Sequence, residues 1–211
     1  VRIRGDTARS WPKKSYKFDF NRSDHFRFDP NLPRVSEINV NATYTDKSYV
    51  RTFLSADTFR DAGVVGPSAF PMRVQQNGQF FSVGIFVEQP DKDLLERHGL
   101  DPEGALYKAV ANGLYGSAGG GVEKKTRRNE NNSDLQALIN GLALTSDGLK
   151  KFIFDNVDLP ALVNYMAVCV VIQDIDRTVK NYYVYRDTNG TGQWRMLPWD
   201  LDLTFGPDAL N

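Results

Sequence analysis

Tyr16, Phe18 and Phe20 alternate with Lys17 and Asp19, the period-two pattern of a strand over 15–20 with one apolar face. Residues 1–4 read as a second short strand and 35–41 as a weaker one, with a polar loop from Gly5 to Ser10 and a turn at 31–33. The period then changes. A helix is expected over 48–62, begun near Asp46, striped by Val50, Phe53 and Leu54, and stopped by Gly63. Asn77-Gly78, flanked by apolar runs at 72–76 and 79–88, is a strong hairpin signal, because both central turn positions need positive φ.

Beyond residue 90 the pattern turns helical. Residues 91–98 are expected to form a short helix with Gly99 as its stop. The glycine-rich run at 113–121 carries a large entropic cost if ordered, so a mobile connection or a ligand-approaching loop is expected there. A helix from Ser133 has Gln136 at capping-box spacing and Leu135, Leu138, Ile139 and Leu142 on one face. Another runs from Pro160 to about Ile172, apolar on nearly every side, and is expected at the centre of the larger half. Strands at 182–185 and 194–199 close a late hairpin. The expectation is an α+β chain with a small sheet-rich lobe over 1–90 and a mainly helical lobe over 91–211.

Composition narrows the function. The 211 residues carry 26 basic and 26 acidic side chains, a balance that offers nothing to nucleic acid, and 41% hydrophobic residues support a folded core. One cysteine and two histidines rule out a multi-cysteine or multi-histidine zinc centre. No apolar run is long enough to span a membrane. The chain opens on strand-forming residues without a leader and stops just after a strongly patterned segment, so it is expected to be a fragment of a longer protein.

The chemistry concentrates late. Asp176 and Asn181 stand five positions apart in a loop after the apolar helix, and the hairpin that follows returns Asp200 and Asp202 towards the same edge. A carboxylate and a carboxamide so spaced can orient a hydroxyl and hold a divalent cation, and such hard oxygen donors suit magnesium or manganese over zinc. Singly, each residue has a plainer explanation: a turn carboxylate at Asp176, a turn-satisfying Asn181, a solvated loop at Asp200 and Asp202. Protein-kinase-like enzymes place these parts in this order, although Asp174-Ile175 precedes Asp176 where His-Arg is usual, and Asp200-Leu201-Asp202 replaces Asp-Phe-Gly.

The chain resembles the CotH spore-coat kinase family. The likeness runs through Arg4-Gly5 with Pro12-Lys13-Lys14-Ser15-Tyr16, Asp46 with Arg51, 84–88, Asp176 with Asn181, and 199–206. It implies an atypical protein-kinase-like fold, ATP as phosphate donor, a divalent metal, and serine or threonine acceptors on coat or surface proteins in a spore-coat, envelope or secreted setting. Carried over by residue, Asp176 would orient or deprotonate the acceptor, Asn181 would hold metal and nucleotide, and Asp200 and Asp202 would be metal ligands. Lys14 or Lys17, or alternatively Arg4 and Arg9, would neutralise phosphate. The helix over 48–62 lacks glutamate, which leaves Glu88 or Glu123 to organise the cleft. Two other functions fit the same residues: a non-catalytic kinase-like interaction module, and a magnesium-dependent nucleotidyl transferase or hydrolase.

Overall fold

A computed structural model describes residues 1–206 as a mixed α/β arrangement of two antiparallel sheets and five α-helices. The first sheet has strands β1 (Arg2–Arg4), β2 (Ser15–Asp19), β3 (Glu37–Asn41), β4 (Ala69–Gln76) and β5 (Gln79–Glu88) in the order β1-β2-β3-β5-β4. The β4–β5 hairpin turns where expected: Asn77 and Gly78 both have positive φ, 51° and 78°, and Gln76 pairs with Gln79. Phe18, Phe20, Phe26, Phe28 and Phe70 gather around the buried Phe86, with Phe70 stacked on it at 4.4 Å.

Helix α1 (Arg51–Asp61) is rotated relative to the stripe of Val50, Phe53 and Leu54: Thr52, Ser55, Ala56 and Phe59 point inward and Phe53 is half-buried, while Leu54 is 42% exposed. Ser55 has a polar partner waiting in Thr204, at 2.9 Å, so the helix docks through a hydrogen bond at one end and through Ala56 and Phe59 at the other.

The second sheet is larger than a lone late hairpin. Strands β6 (Ala105–Ala109), β7 (Val122–Lys124), β8 (Tyr182–Arg186) and β9 (Trp194–Pro198) lie in the order β7-β6-β8-β9. Short β6 finds its partner some eighty residues downstream, with Tyr107 opposite Val184. The helices of this half are α2 (Lys92–Arg97), α3 (Ser133–Leu142), α4 (Ser146–Asn156) and α5 (Leu159–Val171). The capping box of α3 does not form, because Gln136 Oε1 accepts the Ala118 N–H at 2.9 Å instead. That bond, the Leu114 N–H to the Tyr182 hydroxyl at 3.1 Å, and the Val110 N–H to the Gly121 carbonyl at 2.8 Å pin the glycine-rich loop at three points. Gly121 is required there: φ is 103°, and a Cβ would sit 2.1 Å from the Ala111 oxygen. Helix α4 packs Phe152 against Gly141 of α3, a site where a methyl group would collide with the ring.

Helix α5 corrects the expectation of a central helix. Tyr165, Val168 and Cys169 face inward, but Val163, Val170 and Val171 are mostly exposed, so α5 lies on the outside of its cluster. Burial pushes the Cys169 thiol up to about 11, in keeping with a packing role.

Apolar clusters join the halves expected as 1–90 and 91–211: one packs Ala56, Phe59 and Val64 against Tyr165, Val168, Cys169, Ile172 and Leu201, and another gathers Ile85 and Val87 of β5, Leu94 and Leu95 of α2, and Leu106, Tyr183, Tyr185, Leu197 and Trp199 from the second sheet and its exit. Asp91 caps α2 at the edge of this region, accepting the N–H groups of Asp93 and Leu94 at 3.0 and 3.3 Å. Burial, reinforced by the charge of Asp93, pushes its carboxyl up to about 7. Between the ordinary carboxylate range near about 4 and this value, the folded chain keeps a proton that the unfolded chain releases, so Asp91 makes stability fall as pH rises through that window. Asp91→Asn retains the cap and should flatten the fall in urea midpoint between pH 4 and 7; an unchanged slope would remove Asp91 as a source.

Candidate functional site

Two loops meet at one wall of a cavity of about 670 Å³, a size that suits a small-molecule ligand. The first follows α5 and carries Asp176 and Asn181; the second follows β9 and carries Asp200 and Asp202. Asn181 is nearly buried with φ of 65°, and its Nδ2 donates to the Asp176 carboxylate at 2.8 Å and to the Asp176 carbonyl at 3.1 Å. Lys180 Nζ reaches the same carboxylate oxygen at 3.0 Å. Asp174 braces this loop from behind by accepting the Asp176 N–H at 3.3 Å, and burial pushes its carboxyl up to about 6.

On the second loop, buried Trp199 anchors an exposed Asp200 whose φ is 58°. Asp202 accepts a hydrogen bond from the Thr45 hydroxyl at 2.5 Å. Burial, and then the neighbouring charge of Asp200, holds its carboxyl well above the ordinary range. The Asp176, Asn181, Asp200 and Asp202 expected together from sequence therefore line the same cavity. Among the described residues no three His, Cys, Asp or Glu side chains gather closely enough to hold a metal by themselves.

The cationic side differs from expectation. Arg4 lines the cavity, donates to Asn41 Oδ1 at 2.8 Å, and lies over the Trp199 ring at 5.3 Å. Arg9 lines the mouth, and Gly5, at φ of 94°, lets the backbone fold so tightly that a Cβ would fall 2.9 Å from that of Ala8. Lys14 and Lys17 are not brought to this wall. Lys14 Nζ turns back to the Arg9 carbonyl at 2.7 Å, and Lys17 pairs with Glu37 across β2 and β3, contacts that hold both amines elsewhere. Glu88 is likewise committed outside the cavity, buried and ion-paired with Arg97, whereas Glu123 lines it and pairs with Lys125 at 2.7 Å.

Lys108, like Lys180, is a cavity cation that sequence reasoning missed. It lies over the Trp199 ring at 5.7 Å, and burial, then the charge of Arg4, lowers its pKa. The signal was a lone lysine in the apolar strand Ala-Leu-Tyr-Lys-Ala, where alternation sends Leu106 and Lys108 to the Trp199 side and Tyr107 to the other.

The family model described as "CotH kinase protein" matches residues 1–209. The chain belongs to the CotH family. This CotH chain is also 30% identical over 221 aligned residues to inner spore coat protein H of Bacillus subtilis (strain 168), an alignment covering 99% of the chain and 59% of that protein. It thus spans less than two thirds of the relative's length. No helix among the described residues is long and apolar enough to cross a membrane.

Proposed function

We propose that this chain forms the nucleotide and metal site of an atypical, protein-kinase-like serine/threonine kinase that modifies proteins of a spore coat, envelope or secreted setting. The observation that carries this reading is the Asp176–Asn181 hydrogen-bonded pair sharing one cavity with Asp200, Asp202 and two half-buried cations, Arg4 and Lys108. The coat setting is taken from the name of the relative, inner spore coat protein H.

The residues fit magnesium or manganese with ATP. All the donors are oxygen, and the carboxylates are too few to cage an ion alone. Magnesium sites of this type use one or two carboxylates and take their remaining ligands from phosphate and water. Asn181, Asp200 and Asp202 would hold the metal, which when bound neutralises charge on the phosphates. Arg4 and Lys108 would face phosphate oxygens, the guanidinium by directional donors and the ammonium as a compact charge. Asp176, held by Asn181, orients the acceptor hydroxyl and receives its proton, and Lys180 beside it is placed to follow the transferred group.

Incubation of the protein with ATP, manganese or magnesium, and a serine- and threonine-bearing coat protein should add the mass of one or more phosphates to the acceptor. Addition of a nucleotide would establish nucleotidyl transfer instead, and no addition together with no nucleotide binding would leave the interaction module. ATP with metal should raise the thermal midpoint of the wild type, as a ligand at about 100 times Kd stabilises by roughly 2.7 kcal/mol, and Asp200→Ala should lose that shift.

A further inference from the structure

Helix α1 contains no glutamate, yet its first turn is wired directly to the loop that carries Asp200 and Asp202. The wiring starts at Asp46, only 1% exposed, whose Oδ2 accepts the Arg51 N–H at 3.0 Å while its Oδ1 lies 3.8 Å from Arg51 Nε. So fixed, Arg51 donates from one guanidinium nitrogen to the carbonyl oxygens of Thr204, at 2.6 Å, and Gly206, at 3.2 Å. One turn further along α1, the buried hydroxyls of Ser55 and Thr204 meet at 2.9 Å, and Thr204 Oγ1 also donates to the Leu201 carbonyl at 3.0 Å. From the far side, the Phe205 N–H donates to the Ile172 carbonyl at the start of the Asp176 loop.

We propose that Arg51 is the positioning residue of this site: held by Asp46, and assisted by Ser55, it sets the backbone of 201–206 and thereby where Asp200 and Asp202 present their oxygens. The proposal rests on the reading of the cavity as a metal and nucleotide site. Its physical basis is that main-chain carbonyls in a buried turn need donors, and a guanidinium supplies several from one rigid plane. Here those donors come from α1 and none of its own residues enters the carboxylate set. The helix therefore acts on the metal ligands through the backbone, without a side-chain ion pair to a phosphate-binding lysine.

The test compares Arg51→Met, Arg51→Lys and Thr204→Val with the wild type by three measurements: thermal midpoint, manganese dependence of phosphate transfer, and hydrogen exchange of the Phe205 amide. Arg51→Met should raise the half-saturating manganese concentration about tenfold or more and lower kcat, on the scale of a misplacement of about 1 Å, which costs up to about 10²-fold. Exchange at Phe205 should quicken. Arg51→Lys, which can reach one carbonyl, should recover part of both effects, and Thr204→Val should move both readouts in the same direction but less. Should Arg51→Met fail to fold, Ser55→Ala and Thr204→Val decide the matter, since the first removes one hydrogen bond from the loop and the second removes two. Folded variants with unchanged manganese dependence and unchanged exchange overturn the positioning role. Faster exchange in a protein whose wild type transfers no phosphate would support the mechanical link and overturn the kinase reading alone.

Discussion

Replacing Asp176 by asparagine is expected to lower phosphate transfer about 10²- to 10⁴-fold while leaving the fold intact. The substitution keeps an oxygen able to accept from Asn181 Nδ2, so the 2.8 Å bond that fixes the loop has a partner in the variant. What is lost is the carboxylate that orients the acceptor hydroxyl and takes its proton. Lys180 loses its partner too, but that pair is half-exposed, and ion pairs in such positions contribute little to stability. The expected signature is a fall in kcat with little change in KM for ATP, because Asp176 acts on the acceptor and not on the nucleotide. Transfer at the wild-type rate by the asparagine variant would take Asp176 out of the reaction.

The largest effect on stability is expected at Trp199. It is 3% exposed, meets Tyr183 edge-on at 5.5 Å and 83°, and belongs to the cluster shared by both sheets. Trp199→Ala should cost about 3–5 kcal/mol, the range for removing a large buried aromatic side chain. Arg4 and Lys108 would also lose the ring they lie over, so nucleotide affinity should fall with stability. Trp199→Phe keeps an aromatic face and should recover much of both. Urea denaturation reads the stability loss as a lower midpoint at constant slope, and a loss below about 1 kcal/mol would show that the indole is not packed as described.

Much of this site was legible because its chemistry is local. Asp176 and Asn181 lie in one loop, and the hairpin returning Asp200 is announced by two apolar runs with a glycine-containing connection. The Asn77-Gly78 turn, the Asp91 to Gly99 segment and the apolar face of α3 were readable for the same reason: each is decided by residues within a few positions. Strand β6 was not, since its five residues take their order from β8, far along the chain. Lys108 was hidden with it. Helix α4 went unread although Leu149, Phe152 and Ile153 stand at helical spacing; it has no fully buried residue and packs Phe152 against Gly141 of α3. Lys14, within the family motif, and Lys17, on the polar face of β2, meet the Arg9 carbonyl and Glu37, partners that no local pattern announces. In α5, hydrophobicity on all sides suggested enclosure, yet Val170 and Val171 are 69% and 70% exposed, because periodicity reports polarity and not what stands opposite.

The aromatic and aliphatic cluster that runs from Ile85 through Leu94 to Trp199 has an evolutionary consequence. Its members are scattered on both sides of residue 90, so a crossover there between two diverged relatives would mate side chains that never adapted to one another. Chimeras should tolerate exchange of the β4–β5 hairpin tip far better than exchange of either half.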